Sequence, residues 1–139
     1  MPRNTVIPAA FLDLVRGRAY GHLATVMSDG GPQITPVWVD VEETSEGHIV
    51  LVNSKRGRIK NRNMMRNPQV ALEIQDPDNP FRYLSLRGRV CAVVEQGADA
   101  HLEALSRRYL GKPYPWWQPD EVREIFRIAL DRVRTAEIQ

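Results

Sequence analysis

Six of the nineteen Lys and Arg residues fall in one stretch, residues 53–68, NSKRGRIKNRNMMRNP, and no acid interrupts them. Lys55, Arg56, Arg58, Lys60, Arg62 and Arg66 could grip an anion together. A run of this kind serves a nucleic-acid patch, a solvated helix face, or a mouth for one small phosphorylated ligand. Removing these six leaves 13 basic residues against 17 acidic ones, so the rest of the chain is net acidic although the whole carries +2. Non-specific nucleic-acid affinity comes from neutralising many phosphates over a broad basic face, which this distribution lacks. The reading that no nucleic acid is bound follows.

A second group able to act chemically is Tyr114-Pro115-Trp116-Trp117, inside the proline-stiffened segment KPYPWWQP at 112–119. Aromatic side chains bury large areas with few rotors, so such a loop can stack over a flat ring, with Trp116 as the contact, or plug a dimer interface. Trp38, beside Pro36, is either core or pocket wall. His22, His48 and His101 lack a second ligand at metal spacing, so no metal is expected. Cys91 is the only cysteine; it excludes an intrachain disulfide and reads as a plain small residue. G-x-S-x-G, H-E-x-x-H, Walker A and dinucleotide fingerprints are all missing, so no catalytic residue can be assigned. Chemistry carried by a cofactor needs only binding, orientation and electrostatics from the protein, and a phosphorylated cofactor would use the basic stretch.

The elements that must position these groups follow from pattern. At 139 residues, with 42% apolar and 26% charged residues, the chain suits one domain, 1–139. No apolar run approaches the ~18 residues that span a bilayer, which together with the absence of a leader pattern makes a cytoplasmic protein with no membrane contact the expectation. Residues 9–16 predict a short helix. Residues 21–28 and 33–41 predict a hairpin around Asp29-Gly30-Gly31-Pro32, with Pro36 placing the second strand at an edge or bulge. After the loop 42–47, residues 48–53 predict a strand that runs straight into the basic stretch, where Ser54 would cap a helix over about 56–66. On that helix Arg56, Lys60 and Asn63 would share a face, and Arg58 would join them only at the mouth.

Residues 69–74 alternate as a strand, the turn DPDNP follows, and residues 82–95 form a long strand with Leu84, Leu86, Val90, Ala92 and Val94 on one face and Gly88 at a bulge or close approach. Residues 98–110 have helical spacing ended by Gly111. The last segment, with Val122, Ile125, Phe126, Ala129, Leu130 and Val133 apolar, fits an amphipathic helix by pattern alone. Many hairpins without βαβ alternation argue for a small antiparallel barrel of five or six strands.

Taken in order, LATV with DGGPQITPVWVD, SKRGRIKNRNMMRNPQVAL, DPDNPFRYLSLRGRV and RYLGKPYPWWQPDEVREIFRI resemble the pyridoxamine 5'-phosphate oxidase-like family, and within it the deazaflavin-dependent reductases. The resemblance covers nearly the whole chain. It implies an α+β fold: a six-stranded antiparallel split β-barrel of the FMN-binding type with flanking helices, in which residues 124–134 are a closing strand and not a helix. It further implies a homodimer with cofactor sites at the interface. By position in RIKNRN, Arg58 and Lys60 would hold the cofactor phosphate, with Asn53, Ser54, Lys55 and Arg56 flanking them. Gln33, Thr35, Pro36, Val37 and Trp38 would line the ring. The implied cofactor is coenzyme F-420, with FMN as the alternative, and the implied activity is hydride transfer to a small unsaturated organic substrate. A carrier or sensor without turnover, and an RNA-binding barrel, are the rivals from other classes. Leu130, where relatives often carry proline, and the second tryptophan, Trp117, depart from the family pattern.

Overall fold

A computed structural model describes residues 5–138. A 3-10 turn at Ala9–Phe11 runs into α1, Asp13–Arg16; the other helices are α2, Ile59–Arg66, and α3, Ala98–Leu110. Seven strands, β1 Gly21–Val26, β2 Pro32–Val37, β3 Asp40–Thr44, β4 Gly47–Lys55, β5 Gln69–Asp76, β6 Asn79–Val94 and β7 Arg123–Ala136, form one antiparallel sheet in the order β2-β1-β5-β6-β7-β4-β3. β2 and β3 hold opposite edges of that order, yet only Trp38 and Val39 separate them in the chain. The sheet must therefore curl until its two edges meet at this corner, which is the geometry of a split, unclosed barrel.

Its concave side holds the core: Leu23, Val39, Val50, Val52, Leu72, Ile74, Leu84, Leu86, Phe126, Ile128 and Leu130, with Leu14 and Val15 of α1 packed in. Among the described residues no helix is long and apolar enough to cross a membrane.

The strand count exceeds six because the expected strand 33–41 is two: the corner at Trp38 and Val39 ends β2, and β3 extends through residues assigned to a loop. Pro36 does lie on an edge strand, opposite His22, where a missing N–H breaks no inner ladder. Gly88 sits where a Cβ would strike the Ala129 carbonyl and the Ile128 side chain, and the β6–β7 register shifts there. A second shift, between Val90 and Ala92, turns the strand over, so Val93 packs on the core in place of Ala92 and Val94.

The helix pattern of the last segment is corrected: residues 123–136 are the strand that the family resemblance implied. Phe126, Ile128 and Leu130 alternate toward the core, and the shift at Gly88 opposite Leu130 moves the next inward position to Val133. That three-residue step imitates a helical period.

The start of α2 also differs from expectation. β4 continues to Lys55, paired with Arg123, so Ser54 is inside a strand and caps nothing. Its hydroxyl donates to Asn61 Oδ1 at 2.6 Å. Gly57, at φ +100°, makes the left-handed turn that separates strand from helix, and Arg58 is the N-cap residue. Arg56 thus precedes the helix and shares no face with Lys60, while Asn63 turns inward to Thr25.

Candidate functional site

A cleft of about 320 Å³ opens where the Trp38 corner, the end of β4, the start of α2 and the 112–119 loop converge. Pro36, Val37 and Trp38 form one wall, Asn53, Ser54 and Lys55 the floor, Arg58, Lys60 and Arg123 one end, and Tyr20, Leu102, Tyr114 and Trp116 the rest.

The charged end is cation-rich. Burial, then the charges of Arg58 and Arg123, hold the Lys60 ammonium below the usual lysine range. Every group that perturbs Lys60 is thus a cation or a dry surface, and none is a compensating acid. Arg123 is itself anchored, Nη1 donating to Glu121 Oε2 at 2.7 Å and Nε to Asn53 Oδ1 at 2.8 Å, with its guanidinium 5.7 Å from the Tyr114 ring. No side chain caps the first turn of α2, so its free amide hydrogens open beside Arg58 and Lys60. The Lys60 ammonium and Arg58 guanidinium, without an acid partner among the described residues, the anchored Arg123, uncapped amides and the partial desolvation of Lys60 together fit a phosphate or a similar oxyanion.

The floor is fixed by hydrogen bonds that run away from the cleft. Asn61 Nδ2 donates to Glu124 Oε1 at 3.1 Å while its own oxygen takes the Ser54 hydroxyl. Asn53 Nδ2 donates to the Ala98 carbonyl at 2.8 Å, tying β4 to α3.

The aromatic wall is a continuous stack. Trp38 lies on Tyr109 at 5.1 Å between centroids, Tyr109 on Tyr20 at 5.6 Å, and Tyr114 meets Trp38, Trp116 and Trp117 edge-on. Glu103 of α3 holds the loop by accepting from the Tyr114 amide at 3.1 Å and from Trp117 Nε1 at 2.8 Å. These bonds keep the Glu103 carboxyl below its usual range. Trp116 remains 56% exposed at the mouth, a flat surface on which a planar ring can lie.

Of the residues expected at the site, Pro36, Val37, Trp38, Asn53, Ser54, Lys55, Arg58, Lys60 and Trp116 meet in this cleft. Gln33 and Thr35 do not line it: their side chains share the half-buried face of β2 opposite to Ile34 and Pro36, with Gln33 Oε1 at 3.4 Å from the Thr25 hydroxyl. Arg56 pairs with Glu95 at 2.8 Å and Glu124 at 3.4 Å and borders a different groove, with Arg62, Met65 and Arg66. Sequence reasoning missed Tyr20, Leu102 and Arg123. Arg123 was findable as the strand partner of Lys55 once residues 123–136 are read as β7; Tyr20 and Leu102 carry no local signal, being brought in by the tertiary fold alone. Among the described residues no group of three or more His, Cys, Asp or Glu is placed to hold a metal ion.

The fold is shared with solved proteins. A solved F-420 reductase superposes with a TM-score of 0.79 at 32% identity, over 92% of this chain and 98% of that one. A conserved hypothetical protein of Mycobacterium tuberculosis gives 0.72 at 25% identity, over 99% and 90%. General Stress Protein 26 of Bacillus anthracis shares the fold, at 0.66 and 18% identity over 93% and 92%. No curated protein matches the chain. Residues 7–137 match the pyridoxamine 5'-phosphate oxidase family, and the chain belongs to that family.

Proposed function

We propose that this protein is an oxidoreductase that uses coenzyme F-420 to pass a hydride to a small unsaturated organic substrate. The observation that carries this reading is the pairing, in one cleft, of a cation cluster around Lys60, in which only Arg123 has an acid partner among the described residues, with a wall of Pro36, Val37 and Trp38. The similarity to an F-420 reductase at 32% identity supports the choice of cofactor. FMN in the same cleft is the second reading, favoured by the family to which the chain belongs.

When bound, the reduced deazaflavin supplies the hydride; the chain supplies position and surroundings. Arg58, Lys60 and the α2 amides bind the phosphate, and Lys55 and Arg123 extend the positive field. Trp38, held against Tyr109, would supply a fixed wall for the cofactor ring. Tyr114 and Trp116 narrow the mouth and exclude water from the reacting faces. The cleft is open on one side, and Tyr20 and Trp116 stand exposed in its lining. A second copy of the chain covering this side, as a homodimer with two such sites, is part of the proposal.

Titration of the purified protein with F-420 and with FMN, followed by tryptophan fluorescence, tests the reading, because Trp38 and Trp116 line the cleft. Micromolar binding of F-420 in preference to FMN is expected. Tighter binding of FMN would move the function to the second reading, and binding of neither would overturn both. Sedimentation at several concentrations tests the dimer.

A further inference from the structure

Behind the cleft, a chain of polar contacts runs from β3 through α3 to the cation cluster. Asp40 Oδ2 lies 3.0 Å from His101 Nε2, His101 Nδ1 lies 3.2 Å from Asn53 Nδ2, and Asn53 Oδ1 accepts from Arg123 Nε at 2.8 Å. His101 does not line the cleft, and its side chain is only 12% exposed.

The orientation of Asn53 is dictated at both ends. Arg123 can only donate, so the amide oxygen must face it; the Ala98 carbonyl, 2.8 Å from Nδ2, can only accept, so the amide nitrogen must face that way. The remaining N–H of Asn53 points at His101 Nδ1, which must therefore offer a lone pair. The hydrogen of the imidazole then sits on Nε2 and donates to Asp40. The four contacts are mutually consistent only with a neutral His101.

We propose that His101 is a positioning residue whose neutral form orients Asn53, and through it Arg123, for anion binding in the cleft. The inference rests on the phosphate-site reading above. Protonating His101 would set an N–H at Nδ1 against the N–H of Asn53. Rotating the amide to relieve that conflict would turn its nitrogen toward Arg123 Nε–H and its oxygen toward the Ala98 carbonyl. Each arrangement leaves like groups opposed in a buried network, which should show as about a tenfold loss of affinity, or about 1.4 kcal/mol.

The charged groups facing His101 are Asp40 of β3 and Arg108 of α3, which pair with each other at 3.3 Å, and beyond Asn53 the Arg123–Glu121 pair. Burial raises the Asp40 carboxyl, but hydrogen bonds from His101 and the Val41 amide and the charge of Arg108 outweigh it and hold it low. The two physical effects of acid on the cleft have opposite signs. Added positive charge alone would tighten an anion; loss of Arg123 orientation loosens it.

The test has two readouts. In ligand-free protein, proton–nitrogen NMR of the Asn53 side-chain amide and Arg123 Nε–H should move together with His101 titration, and stay still in His101→Asn, whose amide oxygen replaces Nδ1 as acceptor but binds no proton. Affinities for F-420 and FMN should fall about tenfold in the wild type as acid protonates the imidazole. His101→Asn should lose this acid limb, and His101→Leu, which has no acceptor, should bind weakly across the range. Because ligand titration is common to all three proteins, only the difference between their profiles counts. An acid limb retained in His101→Asn, or Arg123 and Asn53 signals indifferent to His101, would overturn the relay. Linked signals without binding of either cofactor would leave the relay standing and refute the cofactor reading instead.

Discussion

The indole of Trp38 lies 5.1 Å from the ring of Tyr109 and 9° from parallel, and the Tyr109 hydroxyl clamps the chain on both sides of the cleft wall. It donates to the Ala19 carbonyl at 2.7 Å and accepts from the Val39 amide at 3.0 Å. The corner where the two sheet edges meet is thus pinned by one side chain of α3. Tyr109→Phe keeps the stack but strips a buried amide of its partner, so a loss of about 1–3 kcal/mol is expected in urea denaturation. Cofactor affinity should fall with it, since the wall loses its anchor. An unchanged midpoint would show that the clamp is not needed.

Lys60 gives a prediction with opposite signs for binding and stability. Its pKa is lowered in the fold, by burial and then by Arg58 and Arg123, so the folded chain sheds a proton that the unfolded chain keeps. Stability of the ligand-free protein should therefore rise as pH climbs from the lowered value toward the ordinary lysine value, and be flat below it. Lys60→Met should remove that slope and leave the fold at least as stable at neutral pH. Anion affinity should behave in reverse, steady below the lowered value and falling above it as the ammonium is lost. At neutral pH the substitution should weaken F-420 by about 1.5–3 kcal/mol, the range for a hydrogen bond to a charged group. Urea denaturation over pH checks the stability half and calorimetric ligand titration the binding half; an unaltered dissociation constant would remove Lys60 from the phosphate site.

Gly88 reports on the barrel itself. A methyl group there would meet the Ala129 carbonyl and the Ile128 side chain, on the central β6–β7 pair where backbone has little room to give. Gly88→Ala is expected to cost about 1–3 kcal/mol, the usual range for overpacking, in chemical denaturation. Gly57→Ala instead tests the turn: nothing crowds its Cβ position, but φ +100° disfavours any side chain, so the loss is conformational and should shift how Arg58 meets the anion. A Gly57→Ala protein with unchanged affinity would uncouple the turn from the site.

What could be read from the sequence divides along local and non-local lines. The Asp29–Gly31 turn, the DPDNP turn and the close approach at Gly88 are short-range signals, and the structure has them where expected; the passage from β4 into α2 is also present, but with the strand longer and the helix start later than the sequence indicates. The cations Arg58 and Lys60 were legible because charge and strand end adjoin in the chain. The end of the barrel was not legible from periodicity, because a register shift near Leu130 gives β7 a helical look; only the whole ordered set of motifs indicated a strand. Arg123 was hidden by the same ambiguity. Helical spacing put Arg56, more readily than Arg58, on the Lys60 face, yet Gly57 sends the two in different directions, Arg56 to Glu95 and Glu124 and Arg58 to the cleft. Composition alone cannot rank neighbours across a left-handed turn.

The loop tryptophans separate by their anchors. Trp117 is bound through Nε1 to Glu103, whereas Trp116 presents a free face at the mouth of the cleft and touches Tyr114 edge-on at 5.6 Å. Trp116→Ala should therefore cost little stability and instead weaken cofactor binding by about 1–2 kcal/mol, through lost stacking area. Trp117→Phe removes only the indole donor, leaving Glu103 with the Tyr114 amide, so it should loosen the loop and raise its proteolytic sensitivity without the same loss of affinity. If Trp116→Ala binds cofactor normally but shifts the sedimentation profile toward monomer, the exposed indole belongs to the contact between copies, and the ring then rests on Trp38 alone.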